Sequence, residues 1–141
     1  MNAALEGPLN LAGRMLLALI FVASGFGKIA DWEGTQGYMA SAGMVAIPVF
    51  LVGAIVFEIV GGLSVASGFK ARWGALALIV FLIPTTLIFH GFWRETEPGP
   101  SRVQMINFMK NVAIAGAMLT IVARGAGAWS LDALLADRQK Q

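Results

Sequence analysis

Long apolar runs separated by short polar ones dominate the chain from residue 8 onward. A helix that crosses a bilayer needs about 20 predominantly apolar residues. Four stretches meet that length: Pro8 to Ile29 (PLNLAGRMLLALIFVASGFGKI), Ile47 to Ser67 (IPVFLVGAIVFEIVGGLSVAS), Trp73 to Trp93 (WGALALIVFLIPTTLIFHGFW) and Met105 to Val122 (MINFMKNVAIAGAMLTIV). Helices of a soluble bundle would each carry a polar face. These runs are apolar nearly all round, with isolated polar residues. The sustained period-two alternation of a membrane barrel is missing, and helices are the remaining way to pair every backbone group in lipid. The pattern predicts an all-α, four-helix transmembrane bundle, up-down-up-down, forming a single membrane domain over residues 1–141.

The connections differ in kind. Residues 30–46 (ADWEGTQGYMASAGMVA) read as a longer Gly-rich loop, with Trp32 and Tyr38 as interface anchors. Residues 68–72 (GFKAR) read as a tight turn. Residues 94–104 (RETEPGPSRVQ) are polar, and Pro98-Gly99-Pro100 interrupts any helix there. The tail ends in a short amphipathic stretch, LDALLADRQKQ, with Ser130 as its N-cap. Pro84 falls inside the third span and should kink it, with Thr85 and Thr86 hydroxyls bonding freed carbonyls. The first span has no basic segment before it and no small-residue cleavage site after it, so it reads as a retained helix rather than a signal peptide.

Orientation follows from the basic residues. With four spans, Arg14, Lys70, Arg72, Arg124, Arg138 and Lys140 share the side of the termini, whereas Lys28, Arg94, Arg102 and Lys110 share the other. Six against four places both termini of this multi-pass chain in the cytoplasm.

Composition supports the class. Of 141 residues 57% are hydrophobic and 13% charged, half the roughly 25% of a soluble domain; the mean hydropathy is +0.74. Such a chain is neither disordered nor able to cover a water-facing surface. Cys is absent, which excludes disulfides, Cys-ligated clusters and thiol redox chemistry. A net charge of +2 points to no nucleic-acid partner. Phosphate loops, dinucleotide fingerprints, nucleophile elbows and His-Glu-x-x-His are all missing.

Ionisable groups inside the bilayer are costly, so they mark interior positions. Arg14 and Lys28 lie fourteen residues apart, within about 40° of one helix face and about 21 Å along it. Glu58 is the acid deepest in any span. Arg14 is the nearest cation by position along an antiparallel first pair of helices, and the expected arrangement is a buried Arg14–Glu58 ion pair that fixes register. A proton-titrating or ligand-binding Glu58, and a lipid-facing one, stay open. Gly61 and Gly62 follow a turn later and suit a close helix contact.

The other side of the bundle gathers Lys28, His90, Trp93, Asn107, Lys110 and Asn111. Two cations, amide donors and an indole suit an anionic ligand or the carbonyl of a quinone. Glu95 or Glu97, a lipid phosphate or a quinone would supply the balancing charge. The alternative is plain interfacial anchoring, with Trp at headgroup level and Lys reaching outward. One His without a second His or Cys nearby makes no metal site.

The segments RMLLALIFVASGFGKI, FEIVGGLSVASGFKARWGALAL, IFHGFW and NFMKNVAIAGAML, in that order, resemble the DoxX family of small four-span membrane proteins. That resemblance implies a bacterial cytoplasmic-membrane location. It also implies association with oxidoreductase complexes, since named members include a thiosulfate:quinone oxidoreductase subunit and a component of a thiol-stress complex. The functional expectation is a subunit or anchor of a membrane redox complex, embedded in the lipid bilayer, touching quinone and without independent catalysis. The alternative is a small transporter or proton-coupled channel working as a homo-oligomer. An independent quinone-linked enzyme would need a donor site, and no cofactor motif offers one.

Overall fold

The computed structural model describes residues 3–139. Its elements are α1 (Ala3–Ala30), α2 (Trp32–Ser41), α3 (Ile47–Ser67), α4 (Ala71–Phe89), a 3-10 turn (Phe92–Arg94), α5 (Pro98–Arg124) and α6 (Leu131–Arg138). Among the described residues four helical stretches are long and apolar enough to cross a membrane: Leu5–Ala30, Ile47–Ser67, Ala71–Arg94 and Pro98–Arg124. Lys140, counted above for orientation, lies outside the described residues.

Two boundaries differ from those expected. The 30–46 connection is not all loop, because Trp32–Ser41 is helical. Asp31 caps it, its carboxylate accepting from Gly34 N at 3.1 Å. The fourth span begins at Pro98 rather than near Met105. Proline has no N–H to lose in the first turn of a helix, so Pro98 and Pro100 end the preceding linker by starting α5. The tail follows expectation: Ser130 Oγ accepts from Ala133 N at 3.2 Å and starts α6.

Helix α1 packs on α3, α3 on α4 and α4 on α5, whereas α1 and α5 approach each other much less closely. Glycines set the spacing. A Cβ on Gly25 would lie 2.6 Å from Ile59, and one on Gly62 would lie 2.8 Å from Val22, so α1 and α3 meet nearly backbone to backbone. Gly61 faces Leu78 in the same way across the α3–α4 contact, where a Cβ would come within 2.8 Å. Gly68 makes the turn between those helices, at φ +70°; this left-handed conformation costs glycine least.

The interior is narrow. Leu51, Val65, Leu78 and Met118 are fully buried, with Ala18 and Phe21 beside them. Leu16, Val49 and Trp73 are each more than 70% exposed. In water that surface would be untenable; in a bilayer it is the lipid-facing coat. Polar groups take some of the few interior positions: Arg14, Glu58, Thr86 and Asn111 are all buried.

A candidate ligand-binding cavity

Glu58 sits in the middle of α3, 4% exposed. Its partner is Lys28, the basic residue of the last turn of α1. Lys28 Nζ donates to Glu58 Oε1 at 2.9 Å and to Ser24 Oγ at 2.7 Å, and lies 2.8 Å from Oε2. The approach to Oε2 is close in charge but not aligned as a hydrogen bond, and Oε2 has no hydrogen-bond donor among the described residues. The ammonium thus straddles both carboxylate oxygens, and no second donor among the described residues reaches Oε2.

The expected Arg14–Glu58 pair is not formed. Arg14 Nη1 donates to the carbonyls of Val65 and Ala66, each at 3.3 Å, and Nη2 to that of Trp129. Register is the reason. Gly25 lies opposite Glu58 and Ile59, and Gly62 lies opposite Val22 and Ala18. Arg14 is thus level with the end of α3, and Glu58 is level with Gly25, eleven residues or about 16 Å further along α1. Measuring depth from Pro8 misplaced Arg14, because α1 begins at Ala3 and its first turns run past the end of α3.

Around the pair lies a cavity of about 580 Å³, bordered by α1, α2, α3, α4 and α5. Of the six residues expected to converge, Lys28, His90, Lys110 and Asn111 border it. Asn111 Nδ2 donates to Thr86 Oγ1 at 3.0 Å, tying α5 to α4. His90 Nδ1 meets Gln104 Oε1 at 2.8 Å; an acceptor there requires the proton on Nδ1, which in the neutral ring leaves Nε2 as an acceptor. Asn107 stays outside the lining but holds Lys110, accepting from its Nζ at 3.1 Å. Trp93 does not join. Its ring makes edge contacts with Phe92 and Phe108, centroids 5.1 and 5.7 Å away, at the end of the bundle.

The cavity also contains groups the sequence reading placed elsewhere. Glu58 and Asp31 supply the negative charge expected from Glu95 or Glu97, neither of which borders the space. Tyr38, expected as an interface anchor, stacks on Phe89 at 5.2 Å and brings α2 over the cavity. Ser24, one turn before Lys28, was the readable signal: the i, i+4 spacing puts its hydroxyl within reach of the ammonium. The result is a space of ligand size, walled by Phe21, Phe81 and Phe89. It carries two ammonium groups, an imidazole and the carboxylates of Glu58 and Asp31.

The chain belongs to the DoxX family, whose model matches residues 9–91. It is 37% identical over 125 residues to the inner membrane protein YqjF of Escherichia coli, covering 89% of this chain and 90% of that one. It is 39% identical over 126 residues to the inner membrane protein YphA of the same organism, covering 88% of each. A Surfeit locus protein 4 homolog of Drosophila melanogaster is 26% identical over 125 residues, which make up 88% of this chain but 40% of that protein. No solved structure matches.

Proposed function

We propose that this DoxX-family membrane protein holds the head group of a quinone-class ligand in the cavity around Lys28 and Glu58, and serves as a subunit or anchor of a redox complex in the bacterial inner membrane. The observation that carries the reading is a buried Lys28–Glu58 ion pair on the wall of an aromatic-lined cavity of about 580 Å³. A quinone presents carbonyl oxygens and its quinol presents hydroxyls. Lys28 and Lys110 can donate to the first; Glu58 Oε2 and His90 Nε2 can accept from the second. The aromatic walls suit a flat ring, and the loose α1–α5 contact gives an isoprenoid tail a route to lipid. The oxidising or reducing group would belong to a partner subunit. With both termini cytoplasmic, as the basic residues favour, the cavity lies towards the outer leaflet.

A second reading is proton-coupled transport through an oligomer. The same buried carboxylate favours it, since an interior acid beside a cation can exchange protons. Purification of the full chain from native membranes, followed by solvent extraction and mass spectrometry, separates the two. The quinone reading expects co-purified quinone that is lost in Lys28→Met. A quinone-free preparation that moves protons in liposomes in a Glu58-dependent way contradicts it.

A further inference from the structure

At the opposite end of the bundle Arg14 is 3% exposed. Its guanidinium reaches three backbone carbonyls, it makes no ion pair with a described carboxylate, and its Nε has no hydrogen-bond partner. Carbonyls satisfy donors but do not neutralise a charge, and a buried cation without a counter-charge is costly. The nearby acid, Asp132, offsets that charge only in part and from a distance, since its carboxylate sits on the first backbone amides at the start of α4, accepting from Lys70 N at 2.8 Å and Ala71 N at 3.3 Å.

Beside Arg14 lies a second cavity of about 240 Å³, between α1 and α5. Asn10, Thr120 and Arg124 border it with Arg14; no acid does. Arg72 comes to the same place from α4, its Nε 3.4 Å from where a Cβ on Gly125 would stand. Three arginines from three helices thus gather around the end of α5. The remaining lining is Leu9, Leu17 and Ile121 with small residues, and it lies where α1 and α5 pack loosely. The level matters too. Arg14 is opposite the last turn of α3, so this site stands at the end of that apolar helix rather than at its middle.

We infer that this second cavity is a binding site for a phosphate group, with Arg14 and Arg124 as its cationic walls and Asn10 as a further donor. Guanidinium forks match phosphate oxygens in geometry as well as charge. An anion there adds to the partial compensation that Asp132 gives the buried Arg14 charge and offers acceptors to its unpartnered Nε. The apolar remainder of the lining accommodates the first methylenes of an acyl chain, which makes an anionic phospholipid one source and free phosphate the other. The site is separate from the Lys28–Glu58 cavity, and neither depends on the other.

The test is native mass spectrometry of the full-length protein in detergent, with phosphatidylglycerol, with a diacylglycerol of the same chains lacking phosphate, and with inorganic phosphate alone. Arg124 is exposed, so Arg124→Gln removes charge without disturbing the interior, and an unchanged melting temperature checks this. The expected result is retention of phosphatidylglycerol over diacylglycerol, reduced about tenfold in Arg124→Gln. Retention of inorganic phosphate but not phosphatidylglycerol, again weakened in the variant, upholds the phosphate site and assigns it to the free anion. Equal retention of both lipids, or equal retention of every probe by wild type and variant, overturns it.

Discussion

Lys28 and Glu58 meet 2.8 Å apart, one at the last turn of α1 and the other at the midpoint of α3. Their side chains are unequally placed: 23% of the Lys28 side chain is exposed, against 5% for Glu58. The ammonium can reach outward, whereas the carboxylate has no such exit. Removing one partner or the other should therefore have unequal effects. Lys28→Met strands a buried carboxylate and should cost about 3–5 kcal/mol, the range for a broken buried pair. Glu58→Gln leaves a cation that can snorkel and should cost less than Lys28→Met. Replacing both by Met should cost less than Lys28→Met alone. Thermal unfolding in detergent of the three variants measures all of this, and a larger loss for Glu58→Gln than for Lys28→Met would refute the asymmetry.

Glycine positions offer a sharper test of the helix contacts. Gly61→Val places a side chain against Leu78, where even a Cβ would come within 2.8 Å, and should cost about 1–3 kcal/mol by overpacking. Gly53 and Gly116 have nothing within 4 Å of an added Cβ. Gly53→Ala and Gly116→Ala should leave the melting temperature unchanged or raise it slightly, through helix propensity. A loss of stability at Gly53 or Gly116 equal to that at Gly61 would contradict the packing described.

Ala46 precedes α3 at φ +53°, in the left-handed region that a Cβ disfavours. Ala46→Gly should raise stability by up to about 1 kcal/mol. A drop in melting temperature would show that the strain is not there.

Cysteine accessibility decides orientation, and the absence of natural Cys makes the experiment clean. Single cysteines at Glu95 and at Asp137 should label from opposite faces of the membrane. Glu95→Cys should react with an impermeant maleimide in intact cells, and Asp137→Cys only after lysis. The reverse pattern would invert the bundle and move the Lys28–Glu58 cavity to the cytoplasmic leaflet.

Much of this was legible in the chain, for identifiable reasons. The spans are readable because about twenty apolar residues in a row have few other uses. Ser130 is readable because capping chemistry is local. The helix Trp32–Ser41 was not, since its sequence, WEGTQGYMAS, has two glycines and no strong apolar stripe; Asp31 capping and the stacking of Tyr38 on Phe89 hold it. The partner of Glu58 was misread because register depends on where α1 starts, and an apolar run marks where lipid begins rather than where the helix does. Four of the six residues expected to cluster converge because they lie near helix ends on one side of the bundle. Trp93 and Asn107 depart because side-chain direction depends on helix phase, which spacing along one chain does not supply.

The central claim is that the Lys28–Glu58 cavity binds a quinone head group. Isothermal titration of decylubiquinone into the full chain in lipid nanodiscs tests it most directly. Wild type should bind saturably at one molecule per chain, and the double variant Lys28→Met, Glu58→Met should bind about tenfold or more weakly while remaining folded. Absence of saturable binding to wild type, or equal affinity in the double variant, would contradict it.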